Sequence, residues 1–319
     1  MRKFLYKCLL FLCAFAIMHI VLFITKPEGQ KGKNYERHAS PKTYSMVCGT
    51  SMAAQDINPK ILYDGLKEVY DSPPYNYSFS IDESPYGAIY FDAIKQKVLP
   101  NDKHNSLFIL CVDPFSLGFT TADTLDLNCY REEKHVLAKL RKLSGSPNLE
   151  YYFRYLLFEK DTYRFVPSTN AKIDLYGRFC SDVSYETDSM NVQDRISNTI
   201  IPYYRKFCVP NFAFSEERLH YLTAISEFML ENGDVYWVRP VVGADLTMIM
   251  DSICPQFDSI MEVTAKQCNI PYFNFHDRVE DFHTTDGVHL YRSEGDIFTS
   301  ELVDSITLCL QSLGTKGEN

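Results

Sequence analysis

Ser106-Leu107-Phe108-Ile109-Leu110-Cys111-Val112 is the run whose reading decides the fold. A strand with one solvated face alternates apolar and polar residues. This run does not alternate, and Asp113-Pro114 ends it abruptly. A short, nearly continuous apolar strand is what a sheet covered on both faces requires, and such sheets are mostly parallel.

The flanking pattern agrees. Upstream, Tyr44 to Cys48 reads as a short strand ending at Gly49, and Asn58-Pro59 caps a helix running to about Glu68. Asparagine suits the cap, and proline suits the first helical turn. Tyr86 to Val98 reads as a helix. Downstream, 217–230 reads as an amphipathic helix and Asp234 to Val242 as a strand. Asp245 to Asn269 is helical with a break near Pro255. Pro271 to Phe275 is a strand, and Glu294 to Leu313 a closing helix. Strands alternating with helices imply an α/β domain, a parallel sheet between helical layers. Residues 119–215 break the rhythm. They are rich in Tyr and Phe and read as a large insertion, either extra core or an aromatic cap over a site.

The N-terminus has a separate character. Arg2, Lys3 and Lys7 precede an apolar run from Cys8 to Thr25, broken only by His19. Counted from Phe4, the stretch is about long enough to cross a bilayer as a helix. The basic flank predicts a cytoplasmic tip and a domain facing the periplasm or cell exterior. No small-residue cleavage site closes the run, which favours an uncleaved anchor at 1–25 over a removed signal peptide. Residues 26–43 are polar and basic and read as a linker, with the domain at 44–319.

Charge divides the same way. Residues 1–43 hold eight Lys/Arg and two Asp/Glu; the rest hold 24 against 39, a balance of -15. A body so acidic is a poor match for nucleic acid. No phosphate-binding loop, dinucleotide fingerprint or metal-ligand spacing is present, so no cofactor or metal is expected. Ten cysteines leave connectivity open; Cys48, Cys111 and Cys309 sit in apolar patterns and read as buried free thiols.

Two segments at opposite ends carry chemistry. Val47-Cys48-Gly49-Thr50-Ser51 ends a strand in a glycine turn before a helix. Such a turn presents a hydroxyl at the carboxyl edge of a parallel sheet, beside backbone N–H groups that can stabilise an oxyanion. A helix cap is the other reading of Ser51. Asp286-Gly287-Val288-His289-Leu290 precedes the last helix. Its spacing lets a carboxylate orient an imidazole that takes a proton from a serine.

An early strand–GxS–helix and a late DxxHL before a terminal helix resemble the bookends of the SGNH (GDSL-like) hydrolase and acyltransferase superfamily. GTS stands where that family has GDS or a similar triplet. The resemblance covers about 44–118 and 216–313. It implies a three-layer, flavodoxin-like α/β fold with Ser51 as nucleophile, His289 as base and Asp286 as orienting carboxylate. It places Gly49 and Asn76 near the oxyanion hole. Arg239, ending the Asp234 strand on the same sheet edge, is read separately, as binding a substrate carboxylate or sugar hydroxyls or as forming an ion pair. The family's third block supplies an Asn, whereas this chain has Asp113, a departure that puts hydrolysis in question. Membrane-anchored members of similar pattern handle acyl groups on envelope glycans, often beside a membrane-bound O-acyltransferase. The implied substrate is an acylated glycan or small ester, and the implied alternative is an inactive accessory protein. His276 and His283 read as surface or supporting residues, and Glu132, Glu133 and Asp281 as solvated.

Overall fold

The structure is a computed structural model that describes residues 1–25, 34–100, 104–119, 130–156, 172–181, 189–207 and 212–314. Its centre is a five-stranded parallel sheet. The strands are β1 (Met46–Cys48), β2 (Tyr75–Asn76), β3 (Leu107–Cys111), β8 (Asp234–Arg239) and β9 (Tyr272–Asn274), in the order β2-β1-β3-β8-β9. The decisive run is the middle strand. Phe108 stands opposite Met46 on one side and Val235 on the other. All five β3 side chains are buried.

Successive strand residues point to opposite faces, so each face receives half of this run. Phe108 and Leu110 pack with Met46, Val235 and Trp237 under α5 (Ala88–Lys97), α7 (Glu216–Leu230) and α9 (Phe257–Cys268). Leu107, Ile109 and Cys111 pack with Val47, Tyr236 and Val238 under α4 (Pro59–Leu66) and α10 (Arg292–Gly314). The chain is therefore α/β with helices on both faces of a parallel sheet. Asn58 caps α4, its side chain accepting from the Lys60 N–H at 3.1 Å. The predicted break near Pro255 separates α8 (Ala244–Ile253) from α9.

The insertion divides its duties. Its base is closed by β4 (Gly118–Phe119) pairing antiparallel with β7 (Ala213–Phe214). Leu137, Leu140, Leu143, Tyr151 and Tyr152 extend the core. A small hairpin, β5 (Lys172–Ile173) with β6 (Phe179–Cys180), touches the sheet edge where the Asn76 N–H donates to the Tyr176 carbonyl at 2.7 Å. Helix α6 (Ser189–Phe207) lies over the carboxyl end of the sheet instead, which is the cap reading.

Helix α1 (Arg2–Thr25), 24 residues with an 18-residue stretch of mean hydropathy 2.7, is long and apolar enough to cross a membrane. The linker expectation needs correction for its second half. Residues 35–39 form a short helix, α2 (Tyr35–Ala39), in which Tyr35, Arg37, His38 and Ala39 are buried. Arg37 donates to the Gly177 carbonyl at 2.8 Å, and Lys97 donates to the Ser40 carbonyl at 2.7 Å. Polar composition concealed this because the buried Arg37 and Lys97 are satisfied by backbone carbonyls rather than by water. Residues 26–33 lie outside the described residues. Cys48 and Cys111 are buried free thiols, as expected, while Cys309 is only half-buried. Cys129 and Cys208 lie outside the described residues.

Candidate active site

Strand β1 delivers the first component. After Cys48 the chain must turn beneath β3, and Gly49 makes this possible. A side chain there would meet the Cβ atoms of Cys111 at 2.8 Å and Ala53 at 2.9 Å, and the backbone φ of +150° is one L side chains rarely adopt. Thr50 follows, extended, and α3 (Ser51–Asp56) begins at the serine. The Thr50 side chain makes no capping bond, and Ser51 occupies the first helical position with its hydroxyl turned elsewhere.

That hydroxyl meets the second component. Ser51 Oγ lies 2.9 Å from His289 Nε2. His289 Nδ1 lies 2.9 Å from Asp286 Oδ2 and 3.2 Å from Oδ1. The loop is built to hold this geometry. Asp286 Oδ1 also accepts from the backbone N–H groups of Val288 (3.0 Å) and His289 (2.9 Å). The Gly243 N–H, after β8, donates to the Gly287 carbonyl at 3.0 Å, and a Cβ at Gly243 would collide with Gly287. Helix α6 reinforces the loop from outside: Arg195 Nε donates to the Thr285 carbonyl at 2.8 Å.

The charges follow from these contacts. Burial opposes ionisation of Asp286, but the His289 charge and the hydrogen bonds from His289 and Val288 outweigh it, holding the carboxyl down at about 2. Burial likewise opposes protonation of His289, yet Asp286, with Asp56 behind it, raises the imidazole above its ordinary 6.5. The pair thus favours imidazolium beside carboxylate. That is the state a base must reach after taking a serine proton.

Three nearby groups escaped the sequence reading. Asp56 ends α3 and accepts from the Leu290 N–H at 3.0 Å, fixing the loop just past His289. Burial pushes its pKa up to about 8, against the pull of His289 and that hydrogen bond. Its outer oxygen, Oδ2, is buried and has no hydrogen-bond partner in the structure. Arg178, in the turn just before β6, reaches the Gln55 carbonyl at 2.8 Å and pairs with Asp296. Tyr203 of α6 shares a hydrogen bond with Ser51, and burial raises its phenol well above the ordinary value, keeping it protonated. Its ring packs edge-on against Phe115, with centroids 5.7 Å apart. None of these belongs to a motif; each is joined to the site only by the folded chain.

The other predicted residues are placed elsewhere. The Gly49 N–H donates to the Tyr90 hydroxyl at 3.2 Å, so Gly49 shapes the turn and is no oxyanion donor. Asn76 lies in strand β2 and not at an oxyanion site. Its buried amide donates to the Ala53 carbonyl at 2.7 Å and its oxygen accepts from the Ser78 N–H at 3.3 Å, so it braces α3 against β2. Arg239 is buried at the end of β8, donating to Asp258 and contacting His276 Nε2 at 3.1 Å. It forms the ion pair, not a substrate contact. His276 is buried in that network and 2.7 Å from Asp251, which corrects its surface reading, whereas His283 is exposed. Glu132 is also corrected: it is buried and paired twice with Arg218, at 3.1 Å each. Asp113 closes its own turn, its Oδ1 accepting from Phe115 N–H (2.9 Å) and Ser116 N–H (3.0 Å). Burial pushes it up to about 6 against those bonds.

Beside the His289 loop is a hollow of about 600 Å³, lined among others by Gln193, Ile196, Asp245, Glu280 and Glu294. Ser51 and His289 are not in its wall. The hollow adjoins the Ser51–His289–Asp286 set without containing its reacting atoms, and chemistry requires atoms in reach. Among the described residues, no group of three or more His, Cys, Asp or Glu could hold a metal ion. No protein-family model matches the chain, and no curated protein matches it.

Proposed function

We propose that this chain is a serine-dependent ester hydrolase or O-acyltransferase of the SGNH type, working through an acyl-enzyme at Ser51. One observation carries the reading: Ser51, far along the chain from the Asp286–His289 loop, is joined to Asp286 through His289, with both connecting distances at 2.9 Å. In this reading Ser51 Oγ attacks the acyl carbonyl carbon while its proton passes to His289 Nε2. The tetrahedral intermediate then collapses, the C–O bond to the leaving alcohol breaks, and His289 returns the proton to that oxygen. Water, or a sugar hydroxyl, attacks the acyl-enzyme by the same steps in reverse.

Asp113 cannot donate to the developing oxyanion while ionised. Tyr203 supports the reading here, because a protonated phenol already at Ser51 is a donor beside the reacting oxygen. The order of the five sheet strands, second-first-third-fourth-fifth along the chain, supports a flavodoxin-like arrangement. Ser51 follows the first strand and Asp113 the third, at the point where that order reverses. The basic flank Arg2, Lys3 and Lys7 supports a cytoplasmic tip, with the domain in the periplasm or cell exterior. An acylated envelope glycan or small ester is the proposed substrate, and a membrane-bound O-acyltransferase the proposed partner. A second reading, an inactive accessory protein of such an assembly, draws on Asp113 standing in place of an amide donor.

Hydrolysis of a short-chain aryl acetate tests the proposal. Wild type turns it over, and Ser51→Ala does not. Tyr203→Phe lowers kcat by about 10²- to 10³-fold with KM little changed, the effect of one lost oxyanion donor. An inactive, folded wild type supports the accessory reading; an unchanged kcat in Tyr203→Phe removes that residue from the oxyanion site.

A further inference from the structure

The exit end of α1 does not leave the domain freely. Phe23 is only 2% exposed, although most of α1 lies outside the protein. Its ring closes on Tyr35 (centroids 5.1 Å) and Tyr152 (4.8 Å), and Tyr35 in turn meets Tyr151 (5.2 Å). A helix of this length spans about 36 Å, slightly more than a hydrocarbon core. Phe23 and its three tyrosines therefore fall at the level where aromatic side chains collect at a membrane surface.

The neighbouring segment has the composition for that level. Phe153 and Leu149, beside this cluster in sequence, remain 47% and 41% exposed. Residues 134–154 carry Lys134, Lys139, Arg141, Lys142 and Arg154 against the single acid Glu150, within a strongly acidic domain. The stretch is tied to the anchor's end. The Tyr35 hydroxyl accepts from the Asn148 N–H at 3.0 Å, and the Asn148 side chain donates to the Lys142 carbonyl at 2.9 Å.

We propose that this face, with Phe153 and Leu149 as apolar contacts and Arg141 and Lys142 as cationic ones, rests on the surface of an anionic bilayer. The proposal rests on reading α1 as a membrane span. Apolar side chains enter the headgroup boundary, and lysine and arginine are drawn to anionic headgroups. The anchor holds the face at the surface, so contact needs no separate binding event.

Photocrosslinking in vesicles containing only the full-length chain and lipid tests this. Variants carry p-benzoylphenylalanine in place of Phe153, of Leu12 in the anchor, or of the exposed Leu308 in α10. In phosphatidylcholine with phosphatidylglycerol, the probes at 153 and 12 form lipid adducts and the probe at 308 does not. Arg141→Glu with Lys142→Glu lowers the adduct yield at 153 about fivefold or more and leaves that at 12 unchanged. Adducts at 12 without any at 153 overturn the proposal while leaving the anchor intact. Absence of adducts at 12 overturns the anchor reading, and the proposal with it. Equal yield at 153 in phosphatidylcholine alone overturns the anionic specificity.

Discussion

At the scale of single residues, His289 is set between opposing demands. Burial favours its neutral form, and Asp286 favours its charged form strongly enough to win. A general base must start neutral, so the proposed activity rises with pH as His289 loses its proton, with a midpoint above 6.5. Asp286→Asn removes the carboxylate that raises this value. The pH–rate midpoint then moves down, and kcat falls by about 10⁴-fold because the imidazole loses its orienting acceptor. A pH–rate profile of both proteins checks this; a midpoint unmoved in Asp286→Asn means that another group sets it. The two motif residues and Ser51 were legible in the sequence because each has its partner encoded at short range, or a turn that exposes it. Tyr203 and Asp56 were not legible. One sits in an insertion that breaks the strand–helix rhythm, and the other ends a six-residue helix and belongs to no motif. Asn76 was placed by the resemblance alone, whereas its amide satisfies carbonyls at the end of α3.

At the scale of elements, the β1–α3 junction positions the serine. Gly49 is the pivot. Gly49→Ala drives a methyl into Cys111 and Ala53 in a backbone conformation that alanine resists. The expected loss is about 1–3 kcal/mol of stability, typical of overpacking. Urea unfolding measures it, and the same displacement moves Ser51 away from His289, so activity falls further than stability alone explains. A variant of wild-type stability would mean that the turn relaxes. The sheet itself was readable because its apolar runs have one explanation, burial on both faces. Strand ends were less so: Val241 and Val242 are buried beyond β8, and burial without strand pairing looks the same in sequence.

At the scale of the molecule, the seam between the segment that follows α1 and the rest of the domain is polar and buried. Lys97, almost wholly buried, donates to Ser40 Oγ (2.8 Å) and to the Ser40 carbonyl. Burial lowers its pKa from 10.5 to about 7. Between those values the unfolded chain holds a proton that the folded chain has released, so stability rises as pH climbs from about 7 to 10.5. Below that window the fold must bury the ammonium. Lys97→Met removes the rise. The difference in urea midpoint between the two proteins, followed with pH, isolates this group because other titrations cancel; a constant difference means that Lys97 titrates normally. The seam was invisible in the sequence, where 26–43 has linker composition. Its order comes from tertiary contacts to Gly177, Asn148 and Lys97, all distant along the chain.

The central claim is that Ser51 is a nucleophile activated by His289. Labelling of the folded, full-length chain with a fluorophosphonate, read by peptide mass spectrometry, tests it most directly. The account predicts one adduct on Ser51 in wild type, and none in Ser51→Ala or His289→Ala. A wild type that stays unlabelled, or an adduct on another residue, contradicts it.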